Sequence, residues 1–126
     1  MPVVLDASAL LAYLQDENGT EVIDELLSVS IMNCVNWSEV VQKMLSKQMD
    51  INGIREELEL LGLTIVPFTL EQAELAARLW KETKNYGLSL ADRACLSTAM
   101  VQNIPVYTAD KMWKSLDLSV QIICIR

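Results

Sequence analysis

Four carboxylates, Asp6, Glu39, Asp92 and Asp110, are the residues of this 126-residue chain whose types and placement could do chemistry together. Asp6 follows the apolar run Val3-Val4-Leu5, and Asp110 follows Ile104-Pro105-Val106-Tyr107 by three residues, so both stand at the carboxyl ends of segments that read as buried strands. Glu39 and Asp92 come three residues after Asn36 and Ser89, the spacing at which an acid completes a capping box at a helix start. The chain has no histidine, which excludes Ser-His-Asp and Cys-His nucleophiles and imidazole-ligated metals. Chemistry near neutral pH therefore falls to carboxylates and to a hard cation bound by them. Taken singly, Asp6 reads equally well as a helix cap, and Glu39 and Asp92 read more readily as capping-box acids than as ligands. Taken together, four carboxylates on one edge would repel one another unless a divalent cation lay among them, and that favours a metal site.

These acids need elements to bring them together. Val3 to Leu5 reads as a strand that runs straight into a helix carrying Leu10, Leu11 and Leu14, followed by a turn at Asp16-Glu17-Asn18-Gly19. Val22, Ile23, Leu26 and Leu27 mark a second short amphipathic helix, with Glu21, Asp24 and Glu25 on its outer face. Ile31 to Val35 reads as the next strand, with Asn36 capping a helix that runs through Leu45. A helix over Ile54, Leu58 and Leu61 should stop near Gly62, before a strand from Leu63 to Val66. Thr69 to Gln72 opens a helix with the core stripe Leu70, Ala73, Ala76, Ala77, Trp80, which Asn85-Tyr86-Gly87 ends; Ser89 to Asp92 opens another whose small residues Ala91, Ala94, Ser97 and Ala99 allow close packing. A strand over Ile104 to Tyr107, a short helix with Met112, Trp113 and Leu116, and a strand from Val120 to Ile125 complete the chain. Strands alternating with helices predict an α/β fold, a mostly parallel central sheet with helices on both faces, whose ligand site lies at the carboxyl ends of the strands.

Length fits a single domain over residues 1–126. No apolar run reaches the roughly 18 residues of a membrane span, so the chain reads as cytoplasmic. Cys34, Cys95 and Cys124 lie far apart among apolar neighbours, as small buried hydrophobes of a reducing compartment would, and make a zinc site improbable. Charge is uneven: residues 1–42 hold seven acids and no Lys or Arg, so they carry the whole net charge of −7. That is not the footprint of a protein that holds nucleic acid by charge alone.

Four segments resemble the motifs of PIN-domain ribonucleases of the VapC toxin type: Val4-Leu5-Asp6-Ala7-Ser8-Ala9, Val35-Asn36-Trp37-Ser38-Glu39-Val40, Ser89-Leu90-Ala91-Asp92-Arg93 and Tyr107-Thr108-Ala109-Asp110-Lys111. The resemblance spans the chain in order, and each motif keeps its acid. It implies a three-layer PIN-like fold, a catalytic and metal-binding quartet of Asp6, Glu39, Asp92 and Asp110 holding Mg²⁺ or Mn²⁺, and metal-assisted hydrolysis of an RNA phosphodiester. Ser8 and Thr108 would be orienting hydroxyls, or plain turn and cap hydroxyls. Lys43, Lys47, Arg93, Lys111 and Lys114 follow the motif acids and could hold flanking phosphates. The family further implies self-association as a homodimer and a small VapB-type antitoxin. The acidic first third suggests where the latter docks: across residues 7–29, on a groove formed by Leu10, Leu11, Leu14, Val22, Ile23 and Leu26 with an acidic rim. A phosphoaccepting receiver would want an acidic pair after the first strand, and a haloacid-dehalogenase-like phosphatase a second Asp where Ser8 stands. A non-catalytic interaction module on the same fold is the rival reading.

Overall fold

The computed structural model describes residues 1–126. Five parallel strands, β1 (Val3–Leu5), β2 (Ser30–Asn33), β3 (Thr64–Val66), β4 (Val106–Thr108) and β5 (Ile122–Cys124), form one sheet in the order β3-β2-β1-β4-β5. The sheet expected to be mostly parallel is wholly so. Six helices cover it: α1 (Ala7–Leu14), α2 (Glu21–Leu26), α3 (Cys34–Ser46), α4 (Ile54–Leu60), α5 (Leu70–Thr83) and α6 (Leu90–Gln102). A 3-10 turn over Lys111–Ser115 follows β4.

Alternation along β1 divides the core between the two faces of the sheet. Val3 and Leu5 pack with Leu10, Ile23, Met32, Val40, Met44 and Leu58, from β2 and helices α1 to α4. Val4 points the other way, into a smaller cluster with Leu79, Cys95, Leu96, Ala99, Val106 and Trp113 beneath α5 and α6. The result is three layers, α/β/α. From β1 the chain winds outward to β2 and β3, then crosses back to β4 and β5 on the other side, so the winding reverses between β1 and β4. An open α/β sheet leaves a crevice at that reversal, outside the carboxyl ends of the strands.

Two local expectations are corrected. The core stripe expected on α5 is displaced: Leu70, Ala77 and Trp80 are exposed, and Gln72, Ala76, Leu79 and Thr83 are buried, because Leu75 and Leu79 take the face toward the core. The strand expected over Ile31–Val35 ends at Asn33, and the cap of α3 is Asn33, whose Oδ1 accepts the Asn36 amide at 2.9 Å. Val35 and Asn36, expected as strand end and cap, are helical. The cysteines also divide: Cys95 is buried as expected, Cys124 is half-buried and Cys34 is exposed. No helix is long and apolar enough to cross a membrane.

Candidate active site

Asp6 is the N-cap of α1 and is almost fully buried. Its Oδ1 accepts the Ala9 amide at 2.8 Å, its Oδ2 accepts the Thr108 hydroxyl at 2.5 Å, and the Ser8 hydroxyl lies 2.8 and 2.9 Å from the two oxygens. Ser8 in turn accepts the Ala109 amide at 2.9 Å, and Thr108 accepts that of Asp110 at 3.0 Å. Both hydroxyls therefore orient Asp6 and stitch the end of β1 to the end of β4. Burial still dominates: desolvation lifts the Asp6 carboxyl to about 6, against the lowering pull of the Thr108, Ala9 and Ser8 bonds, and the Asp92 charge adds to the rise.

Asp92 sits at the third position of α6 in a full capping box, its Oδ2 accepting the Ser89 amide at 3.0 Å while the Ser89 hydroxyl accepts the Asp92 amide at 3.1 Å. Asp110 caps the 3-10 turn, its Oδ1 accepting the Met112 amide at 3.0 Å. Glu39 is different. With α3 beginning at Cys34, it stands in the second helical turn rather than the first, where it caps nothing, and its carboxylate has no hydrogen-bond or ion-pair partner. Partial burial raises its pKa, the Asp92 charge raises it further, and Lys43 one turn along α3 lowers it. A cap therefore explains part of what Asp6, Asp92 and Asp110 do, and none of what Glu39 does.

All four acids line one cavity of about 250 Å³, with Ala7, Ser8, Lys43 and Ser89 as its other walls. Glu39 and Ser89 also form the wall of a larger neighbouring cavity of about 620 Å³, lined further by Cys34, Val35, Ser38, Gln42, Leu90 and Ala91. In kind the donors of the smaller cavity suit a hard divalent cation: they are oxygens only, they carry four formal negative charges against one Lys, and Glu39 has no competing partner. As the side chains stand, no three of them converge on one point at which a metal ion could be held. Asp92 and Asp110 each have one oxygen on a backbone amide, which leaves the other free to turn inward.

Among the five basic residues considered as phosphate holders, Lys43 reaches this cavity. Lys47 is exposed along α3, and Lys111 and Lys114 are exposed on the 3-10 turn beside Asp110. Arg93 is not part of the site: its guanidinium turns against α5 and donates to the Ala76 carbonyl at 2.8 Å. Beyond the acids, the structure brings in Asn36, which is fully buried and whose Nδ2 donates at 2.9 Å to the carbonyl of Ala91, the residue before Asp92. Its placement three residues before Glu39 was the available signal, obscured by reading it as the cap.

Several solved structures share the fold. The chain is similar to VapC20 of Mycobacterium tuberculosis, a sarcin-ricin loop cleaving toxin, with a TM-score of 0.74 at 12% identity over 94% of this chain and 98% of that one. It is similar to VapBC2 of Rickettsia felis, solved bound to a DNA fragment from their promoter, with a TM-score of 0.72 at 18% identity over 98% of each chain. FitAcB of Neisseria gonorrhoeae gives 0.69 at 22% identity over 96% of each chain. No curated protein matches the sequence significantly. The family model of the PIN domain matches residues 3–118, which span all four acids and every element from β1 to the 3-10 turn: the chain belongs to the PIN-domain family.

Proposed function

We propose that the chain, as a single PIN domain over residues 1–126, is an endoribonuclease toxin of the VapC type that hydrolyses RNA phosphodiester bonds with Mg²⁺ or Mn²⁺, held by Asp6, Glu39, Asp92 and Asp110. The observation that carries this reading is Glu39: a partly buried carboxylate with no cap role and no partner, lining one cavity with three other acids at the point where the sheet reverses. A divalent cation bound among these carboxylates would supply charge neutralisation at the phosphoryl oxygens and activation of the attacking water.

The chain's own residues supply the rest. Thr108, Ser8 and the Ala9 amide hold Asp6 in one orientation on the cavity wall. The Ser89 and Met112 amides do the same for one oxygen each of Asp92 and Asp110. Lys43 is the one cation that lines the cavity and stands ready for a phosphate there. The neighbouring cavity, neutral except at Glu39, gives room for the polymer on that side.

The regulatory half of the proposal is a VapB-type antitoxin, as in the VapBC assemblies among the structures of similar fold. Its docking surface across residues 7–29 is narrower than the sequence indicated. Leu10, Leu11 and Ile23 are core residues, while Tyr13, Leu14, Val22 and Leu26 are partly buried beside the exposed acids Glu21, Asp24 and Glu25. Those four side chains are the anchors for an amphipathic, basic partner segment. Self-association of the toxin belongs to the same proposal.

Purified chain incubated with mixed RNAs in Mg²⁺, Mn²⁺ or chelator tests the enzymatic half. Cleavage in metal and none in chelator supports it. Cleavage that persists in excess chelator overturns metal dependence, and no cleavage of any RNA in either metal favours a non-catalytic interaction module.

A further inference from the structure

A buried polar network links the start of α3 to α5 and α6. Asn33, Asn36, Gln72 and Thr98 are each at most 4% exposed. The amide nitrogen of Asn33, the cap of α3, donates to the Thr98 hydroxyl of α6 at 2.9 Å, and Thr98 lies 3.2 Å from Gln72 Oε1 of α5 and 3.1 Å from the Ala94 carbonyl. One turn on, Asn36 Nδ2 donates across to the Ala91 carbonyl at 2.9 Å. This last bond joins the first turn of α3, one turn before Glu39, to the first turn of α6, which bears Asp92. Asn36 and Glu39 share a face of α3 by their spacing of three, and Ala91 is covalently linked to Asp92.

The bond works against a repulsion. Glu39 and Asp92 carry like charges on the wall of one cavity, and the Asp92 charge pushes the Glu39 carboxyl up. Nor is Asn36 an efficient way to hold two helices together. Its Oδ1 is buried with no hydrogen-bond partner, a desolvation cost that an apolar side chain of similar volume would not carry. Stability alone does not account for a half-satisfied amide here; a requirement on the distance between two carboxylates does.

We infer that Asn36 is a positioning residue: through its bond to the Ala91 carbonyl it sets the separation of Glu39 and Asp92 that a divalent cation needs. This rests on the metal site proposed above. Residues that orient ligands without touching the ion typically contribute about ten- to a hundredfold to metal affinity.

The test is the Mg²⁺ concentration giving half the maximal thermal shift, measured without RNA. It is read for wild type, Asn36→Ala and Asn36→Leu, the last keeping the buried volume without the amide. Expected is a midpoint raised by about ten- to a hundredfold in both variants, and no further rise when either is placed in a Glu39→Gln background. RNA affinity in the absence of divalent ions should not change. A lower melting temperature in chelator with an unchanged Mg²⁺ midpoint would show that Asn36 only packs the helices, and would overturn the inference while leaving the metal site intact. Absence of any Mg²⁺ shift in wild type would instead overturn the metal site itself.

Discussion

Thr108, at the end of β4, donates its hydroxyl proton to Oδ2 of Asp6, just beyond the end of β1, joining two residues 102 positions apart across the reversal of the sheet. A hydrogen bond to an ionised group contributes about 1.5–3 kcal/mol, and this one favours the charged form of an acid that burial disfavours. Thr108→Val keeps the shape and removes the bond. The midpoint of the pH dependence of cleavage should then move up by about one unit, with Ser8→Ala acting in the same direction. An unmoved pH profile in Thr108→Val would show that the hydroxyl does not tune Asp6.

The same buried carboxyl gives folding a pH dependence of defined sign. Its folded value of about 6 lies above the ordinary 3.8 of an exposed aspartate, so the folded state binds the proton more tightly than the unfolded chain. The associated stability is fully present below the unfolded value and is lost as pH rises through about 6. In chelator, wild type should therefore gain stability relative to Asp6→Asn as pH falls from 7 to 4. The upper limit is about 3 kcal/mol, from roughly two units at 1.36 kcal/mol each. Denaturant melts across that range check it, and parallel curves for the two proteins would contradict it.

Asp92 and Asp110 serve as caps and as cavity walls, and the two roles separate by substitution. Asp92→Asn keeps an oxygen for the Ser89 amide and removes the charge, so in chelator it should leave stability within a few tenths of a kcal/mol or raise it. Asp92→Ala loses the cap as well and should cost about 1 kcal/mol. Both should reduce the thermal shift produced by Mg²⁺. Equal losses in the two variants, with a normal Mg²⁺ shift, would reduce Asp92 to a cap.

How far the sequence reaches is clear at the junctions. Strands ending in Asp6 and near Asp110 follow from β-branched runs that stop at an acid, and the Thr69 and Ser89 capping boxes form as their spacing demands. The β2–α3 junction is ambiguous in the sequence because Asn33 and Asn36 can each cap a helix three residues on, and Val35 favours a strand. What decides between them is nonlocal: Asn33 reaches Thr98, which is 65 residues away, and Asn36 reaches Ala91. Arg93 was misplaced for a simpler reason. One residue past Asp92 is about 100° around a helix, which turns its side chain from the cavity toward α5.

Charge on α2 should govern how fast the proposed antitoxin arrives more than how tightly it stays. Reversing exposed Glu21, Asp24 and Glu25 to Lys should slow association with a basic partner by about tenfold or more at low salt and flatten its salt dependence. Rates from the surface-captured chain measure this; an unchanged association rate and salt slope would move the proposed docking surface elsewhere.

Glu39 is the acid with no structural duty, so its loss isolates the site from the scaffold. The decisive measurement is the initial rate of RNA cleavage by Glu39→Gln at saturating Mg²⁺, paired with its melting temperature in chelator. A carboxylate that acts in the reaction should cost about 10²–10³-fold in rate when neutralised, while the melt stays at the wild-type temperature or above it as repulsion with Asp92 is relieved. Cleavage at the wild-type rate would contradict the proposed active site.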